Sequence, residues 1–389
     1  MKRIFIYIAA AAALAACSKA EVIPVSNDAE TEITYLTAPI VKSESSPTFS
    51  RLWQFKSTAF YLQKAKSWAA NAAESQKYID GAVIEWDTDV WRNKSKKYYW
   101  PKDGELTFFA WTNVTETIKY ANDANYGKGE SAFLSYLDGV TVDNTNGVKI
   151  ASYDVTTDAH KNVDILVADV KADQVANNGG AGNGTPVYNT NGVPTLFKHK
   201  LCKVKFTAQT VDASGAAYDY SNPDNITFTI NSIVFKGIDS KNTYTQGVAG
   251  ATNAWGTTPE GTADQTYFDK EKETSTTRYN EGFPVTSVQT GIYASANQYY
   301  YMPQAFEIKS GTGNASDVFV VNYTIKYDNG TTETIDQECI LNNGTSTATF
   351  DKWEMAHIYT INLKFSLNEI LWDPAVEDWT DVNKDVNII

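Results

Sequence analysis

The chain predicts an all-β protein of two antiparallel β-sandwich domains in tandem, and three observations carry that expectation. Apolar and polar side chains alternate over long runs: Phe319, Val321, Tyr323, Ile325 and Tyr327 fall on one side, and Asn322, Thr324 and Lys326 on the other. A repeat of two is the mark of a strand with one buried face. The composition includes 23 Tyr, 17 Phe and 10 Trp, residue types that suit a pleated, half-buried surface. Many such segments are short and are separated by Gly and Asn turns, as in sandwiches. A length of 389 residues suits two domains better than one.

The first residues are an export signal. Met1-Lys2-Arg3 is cationic, Ile4 to Leu14 is apolar, and Leu14-Ala15-Ala16-Cys17 closes the segment with small residues and a cysteine. This is the layout of a bacterial lipoprotein signal, with Cys17 as the lipidation site, because its thiol alone can take up a diacylglyceryl group. An ordinary secretory signal with a chance cysteine is the alternative. The apolar run is too short to span a bilayer, which needs ~20 residues. Lipid chains would hold the mature protein at about 0.8 kcal/mol per buried methylene. Residues 1–16 are therefore the signal, 17–51 a tether with a first strand, 52–195 an N-terminal sandwich and 196–389 a C-terminal sandwich.

Within the tether, Glu32 to Thr37 reads as a strand, followed by a Ser- and Pro-rich connection ending at Arg51. A strand is expected near Thr58–Leu62 and a helix over the Ala-rich stretch Ala65–Glu74. Tyr98-Tyr99-Trp100-Pro101 reads as a turn into a buried strand, Leu106–Trp111, with another at Asn162–Ala168. The run NNGGAGNGTP (177–186) cannot pack and marks a loop. Strands resume over Leu196–Ala208. Asp328-Asn329-Gly330-Thr331 signals a hairpin. One long strand is expected from Trp353 to Phe365, with Trp353, Met355, Tyr359, Ile361, Leu363 and Phe365 on its apolar face.

Chemistry-bearing motifs are sparse. A net charge of −13 repels phosphates and disfavours nucleic acid as a partner. His160, His199 and His357 are far apart, and neither a metal nor a cofactor is expected. His199 and His357 read as structural. Cys202 and Cys339 lie in strand-like segments, and free buried thiols are favoured over a disulfide. Glu85, Asp87 and Asp89 around Trp86 offer the carboxylates a sugar hydrolase would use, but a solvated acidic face explains them as well.

Several segments together resemble the fimbrillin-like family of Bacteroidales, the type V pilins. Tyr99-Trp100-Pro101 with Leu106–Ala110 is similar to its YWP…LxFFAY, and Asp164–Ala168 to its DLLVA. Phe197–Val204 is similar to FxHxLAKV, with Cys202 in place of a small residue. Tyr300-Tyr301-Met302-Pro303-Gln304 resembles YYLPQ, and Trp353–Tyr359 resembles WxxGKxY. Ile370–Trp379 resembles the closing IxxxPxVxxW. Ala356 stands where the family has glycine and His357 where it has lysine.

The resemblance implies transthyretin-like sandwiches and a non-enzymatic adhesive subunit of a surface fimbrium. In that family a lipidated precursor reaches the outer membrane, and a trypsin-like protease cuts after a basic residue near the N-terminus. The first strand leaves, and a neighbour's strand enters the groove. Carried onto this chain, Ile33 and Tyr35 form the removable strand, and Arg51 is the first candidate for the cut, with Lys42 second. Ile370, Trp372, Val376, Val382, Val386 and Ile388 share parity in the C-terminal tail and form the candidate donor strand. Six such side chains at ~1.5–3 kcal/mol each would supply roughly 9–18 kcal/mol gross. Otherwise the tail folds back as the last strand of its own domain.

The implied partners are other pilin subunits, in a homopolymer or mixed fimbria, the outer membrane through the lipid, and host or bacterial surface ligands. A monomeric surface lipoprotein that binds glycans is the alternative reading.

Overall fold

The structure is a computed structural model that describes residues 31–37, 53–114, 139–155, 163–176, 187–189, 192–248, 254–272, 279–292, 299–309, 316–344, 349–367 and 370–378. It is nearly all strand, organised as tandem β-sandwich layers.

The N-terminal half is built on a ten-stranded sheet. Its centre is Gln54–Leu62 between Gln76–Asp87 and Glu105–Val114. Both faces of this centre are covered, which explains why Leu106–Trp111 reads as one unbroken apolar run. Phe55, Ala59, Tyr61, Leu106, Phe108 and Ala110 turn into one core. Phe60, Leu62, Phe109 and Trp111 turn into another. Alternation along a strand sends neighbours to opposite faces, and here both faces are dry.

The second of these cores is closed by residues from far along the chain, including Val148, Ile150, Tyr244, Trp255, Tyr300 and Ile358. The hairpin of Val140–Asp143 and Gly147–Asp154 joins the C-terminal half's sheet by pairing with Thr227–Thr245. That 19-residue strand runs through both halves. Phe228, Ile230, Ile233, Phe235 and Ile238 face the C-terminal core, and Tyr244 reaches the shared one.

The C-terminal core lies between this sheet and a second one, in which Cys202–Thr210 pairs with His357–Phe365, which in turn pairs with Ile370–Asp378. Three pairings are parallel among the described residues, so the sheets are mixed rather than purely antiparallel. Phe319, Val321, Tyr323 and Ile325 are all buried, on the expected face. The hairpin at 328–331 joins Val318–Lys326 to Thr332–Ile340.

Two expected elements are shorter than read. The helix over Ala65–Glu74 is one α-turn, Trp68–Asn71, followed by a 3-10 turn, Ala72–Glu74. Ala65 has φ 76° and lies outside it, and only Trp68 is buried, so tertiary packing offers the segment no second apolar turn. The strand expected from Trp353 to Phe365 is broken. Lys352–Trp353 and His357–Phe365 are separate, because Ala356 has φ 59°, in the left-handed region.

Candidate functional site in the N-terminal sheet

Residues 31–37 form a short segment inserted within the N-terminal sheet, between Val90–Arg92 and Val193–Thr195. Tyr35–Thr37 pairs in parallel with Val193–Thr195, and Tyr35 also faces Trp91. The backbone before it is bonded as well: Ile33 N–H donates to Tyr98 O at 2.8 Å, Trp100 N–H to Thr31 O at 3.1 Å and Val193 N–H to Thr34 O at 2.8 Å. Ile33 and Tyr35 are 2% and 4% exposed. Period two puts both on the inner face.

Tyr35 is the anchor. Its ring meets Phe55 and Phe108 edge-on at 5.5 and 5.9 Å, a favoured aromatic arrangement. Burial pushes its phenol well above the ordinary tyrosine range. Gly192, at φ 115°, lets the chain pass over the segment: a Cβ there would lie 2.9 Å from the Tyr35 carbonyl carbon. Glycine is therefore required by both conformation and space.

An ion-pair cluster holds the outer end. Arg92 reaches Glu32 at 3.2 Å, Asp87 at 3.2 Å and Asp89 at 3.6 Å, and Lys97 reaches Glu32 at 3.6 Å. Glu85 accepts from Gln54 Nε2 at 2.9 Å and has Lys94 at 3.7 Å. The three carboxylates singled out for hydrolysis are thus tied to cations or an amide.

At the other end of the chain, Ile370–Asp378 is the edge strand of the C-terminal sheet, antiparallel to His357–Phe365. Ile370 is buried, Trp372 packs on Phe319 and Phe350, and Val376 is 53% exposed. The tail up to residue 378 therefore folds back onto its own domain. Pro374 is tolerated within this strand because it is an edge. Val382, Val386, Ile388, Cys17, Lys42 and Arg51 lie outside the described residues.

The remaining candidates are held within the fold. His199 Nδ1 and Asp164 Oδ2 are 2.6 Å apart in a buried pair. His357 Nδ1 lies 2.8 Å from Met355 O. Cys202 and Cys339 are free buried thiols; burial raises both, Cys339 to about 12. Trp68, Trp91, Trp100, Trp111, Trp255 and Trp353 are buried and form no exposed platform. Among the described residues, no three His, Cys, Asp or Glu side chains are grouped to hold a metal, and no helix is long and apolar enough to cross a membrane.

The sequence reading missed Trp91, Arg92, Val193 and Ser57, which receive the inserted segment. Nothing local marks them, since only the sheet brings them to it.

Comparison with solved structures matches the fold. A fimbrial protein from Bacteroides vulgatus superposes with TM-score 0.59 at 17% identity, covering 90% of this chain and 99% of that one. A candidate cell adhesion protein from Bacteroides uniformis aligns at TM-score 0.42 and 13% identity, over 90% and 98% of the two chains. The C-terminally truncated tip fimbrial protein Mfa3 from Porphyromonas gingivalis aligns at 0.32 and 12%, over 84% and 94%. The last two are too loose to carry an argument. No protein-family profile and no curated protein sequence matches this chain.

Proposed function

We propose that this protein is a non-catalytic structural subunit of a cell-surface fimbria, made as a lipidated outer-membrane precursor and assembled by exchange of strands between copies. The observation that carries this reading is the inserted segment 31–37 itself. Ile33 and Tyr35 fill the N-terminal core from a short piece of chain that is joined to the rest through residues 38–52, where Lys42 and Arg51 offer cut sites. Cutting there frees a strand whose two buried side chains contribute roughly 3–6 kcal/mol. The opened groove would expose Phe55, Phe108 and Trp91, an apolar surface that needs a new occupant. The shared fold with a fimbrial protein supports the same reading.

The donor on this reading is the end of the tail. Ile370, Trp372 and Val376 stay in their own sheet, while Val382, Val386 and Ile388 continue the same parity beyond it. A strand entering the neighbour's sheet adds backbone hydrogen bonds. Because donor and groove are different surfaces, the contact is head-to-tail and generates an open polymer.

Brief trypsin treatment of the purified precursor tests this. The expected result is a new N-terminus after Arg51 or Lys42 and an SDS-resistant ladder that heat dissolves. A variant with Arg51→Ala and Lys42→Ala should remain monomeric. Cleavage at the expected site with no oligomer at any concentration would overturn the exchange reading.

A further inference from the structure

A cleft of about 500 Å³ lies on the opposite face of the N-terminal sheet from the side chains of Ile33 and Tyr35, where the two halves of the chain meet. Its size falls in the range of small-ligand sites, ~300–1,000 Å³. Trp68, Asp169, Asp173 and Lys198 come from the N-terminal half's segments and the strand that follows them; Gln246 and Val248 lie just past the far end of the long central strand.

The walls are fixed before any ligand arrives. Trp68 N–H donates to Asp173 Oδ1 at 2.7 Å, and its indole N–H donates to Val248 O at 2.8 Å. Gln246 Nε2 donates to Ala168 O at 2.6 Å. Lys198 Nζ sits 3.0 Å from Asp169 Oδ1, with both side chains a little over one-third exposed. Lys200 lies deeper, its ammonium 5.7 Å from the Tyr244 ring centroid.

The chemistry of this lining is specific in kind. Two lysines and two aspartates cancel, so the cleft favours no strongly charged ligand. Donors and acceptors stand side by side, and the Lys198–Asp169 pair offers one of each at about the separation of two adjacent ring hydroxyls. Val170, Ala172 and Val248 supply apolar wall for C–H faces. We propose that this cleft binds an uncharged carbohydrate, with Lys198 and Asp169 holding a vicinal diol at its mouth.

The inference is independent of strand exchange, since the site exists in the uncut monomer. The test is binding of the full-length monomer, soluble after Cys17→Ala, to an array of neutral, sialylated and sulfated oligosaccharides, followed by titration of the best neutral hit. The expected result is a neutral glycan bound at least 10-fold more weakly by the Lys198→Ala, Asp169→Asn double variant, with an unchanged melting curve. Ala172→Tyr, which fills the cleft while keeping all its charges, should abolish binding. Absence of any neutral hit, selectivity for sialylated or sulfated probes, or undiminished binding by Ala172→Tyr would overturn the proposal.

Discussion

Tyr35 donates its phenolic hydrogen to Ser57 Oγ at 3.1 Å, inside the N-terminal core. Ser57 is fully buried in the central strand Gln54–Leu62, so this bond ties the inserted segment to the middle of the sheet. It gives the segment a polar lock in addition to its packing.

Removing that lock while keeping the ring isolates its contribution. Tyr35→Phe should destabilise the uncut protein by about 1 kcal/mol, because Ser57 Oγ loses its buried donor. Urea unfolding reads this directly. In protein cut after residue 37, the same change should speed release of the N-terminal peptide several-fold. Equal stability and equal release for parent and variant would show that the bond carries no weight.

Arg92 is the electrostatic counterpart. It touches Glu32, Asp87 and Asp89, and its side chain is only 23% exposed. Arg92→Ala should cost about 1–2 kcal/mol, leaving Glu32 to Lys97 alone. The difference between parent and variant should shrink in molar salt, where charges are screened within ~3 Å. A salt-independent difference would assign Arg92 a packing role instead.

Ala356→Gly should stabilise the protein. Ala356 has φ 59°, and its N–H still has to donate to Leu201 O, at 3.0 Å. A left-handed conformation costs an L-residue ~1–2 kcal/mol, partly offset by glycine's greater freedom when unfolded. A net gain of roughly 0.5–1 kcal/mol in chemical denaturation is expected, and a loss would contradict the strain.

Asp239 gives a pH signature. Burial first, and then the charge of Asp317, raise its carboxyl from the ordinary 3.8 to about 6. A raised folded value means that the native state holds the proton more tightly. The stabilisation is complete below about pH 4 and lost as pH rises through 6. Asp239→Asn should therefore match the parent at pH 3.5 and exceed it at pH 7.5, by about 1 kcal/mol once solvent screening of this half-exposed group is allowed for. Melting curves at the two pH values check the sign.

Much of the sheet architecture is legible in the chain, for a local reason. Phe319 to Ile325 alternate because one face meets a core, and Asn329-Gly330 sits where a turn must reverse. The near-continuous burial of Leu106 to Trp111 is visible too, although the reason for it is not. Its second face is covered by Tyr244, Trp255 and Ile358, which nothing near residue 106 announces. The same holds for the site. Ile33 and Tyr35 are marked by parity, whereas Ser57, Trp91 and Val193 become their neighbours only through pairing across the sheet. Even the break at Ala356 shows in the chain only as an alanine where a glycine is expected.

By itself the sequence determined the all-β class and the inner faces of most strands. These follow from residue spacing, which the pleat converts directly into sidedness. Only the tertiary structure decided which strands are neighbours. It joined residues 140–154 to Thr227–Thr245, laid Ile370–Asp378 on its own domain and brought Arg92 to Glu32. Strand pairing is a sum of many weak backbone contacts between distant segments, and no short stretch of chain carries enough of that sum to name its partner.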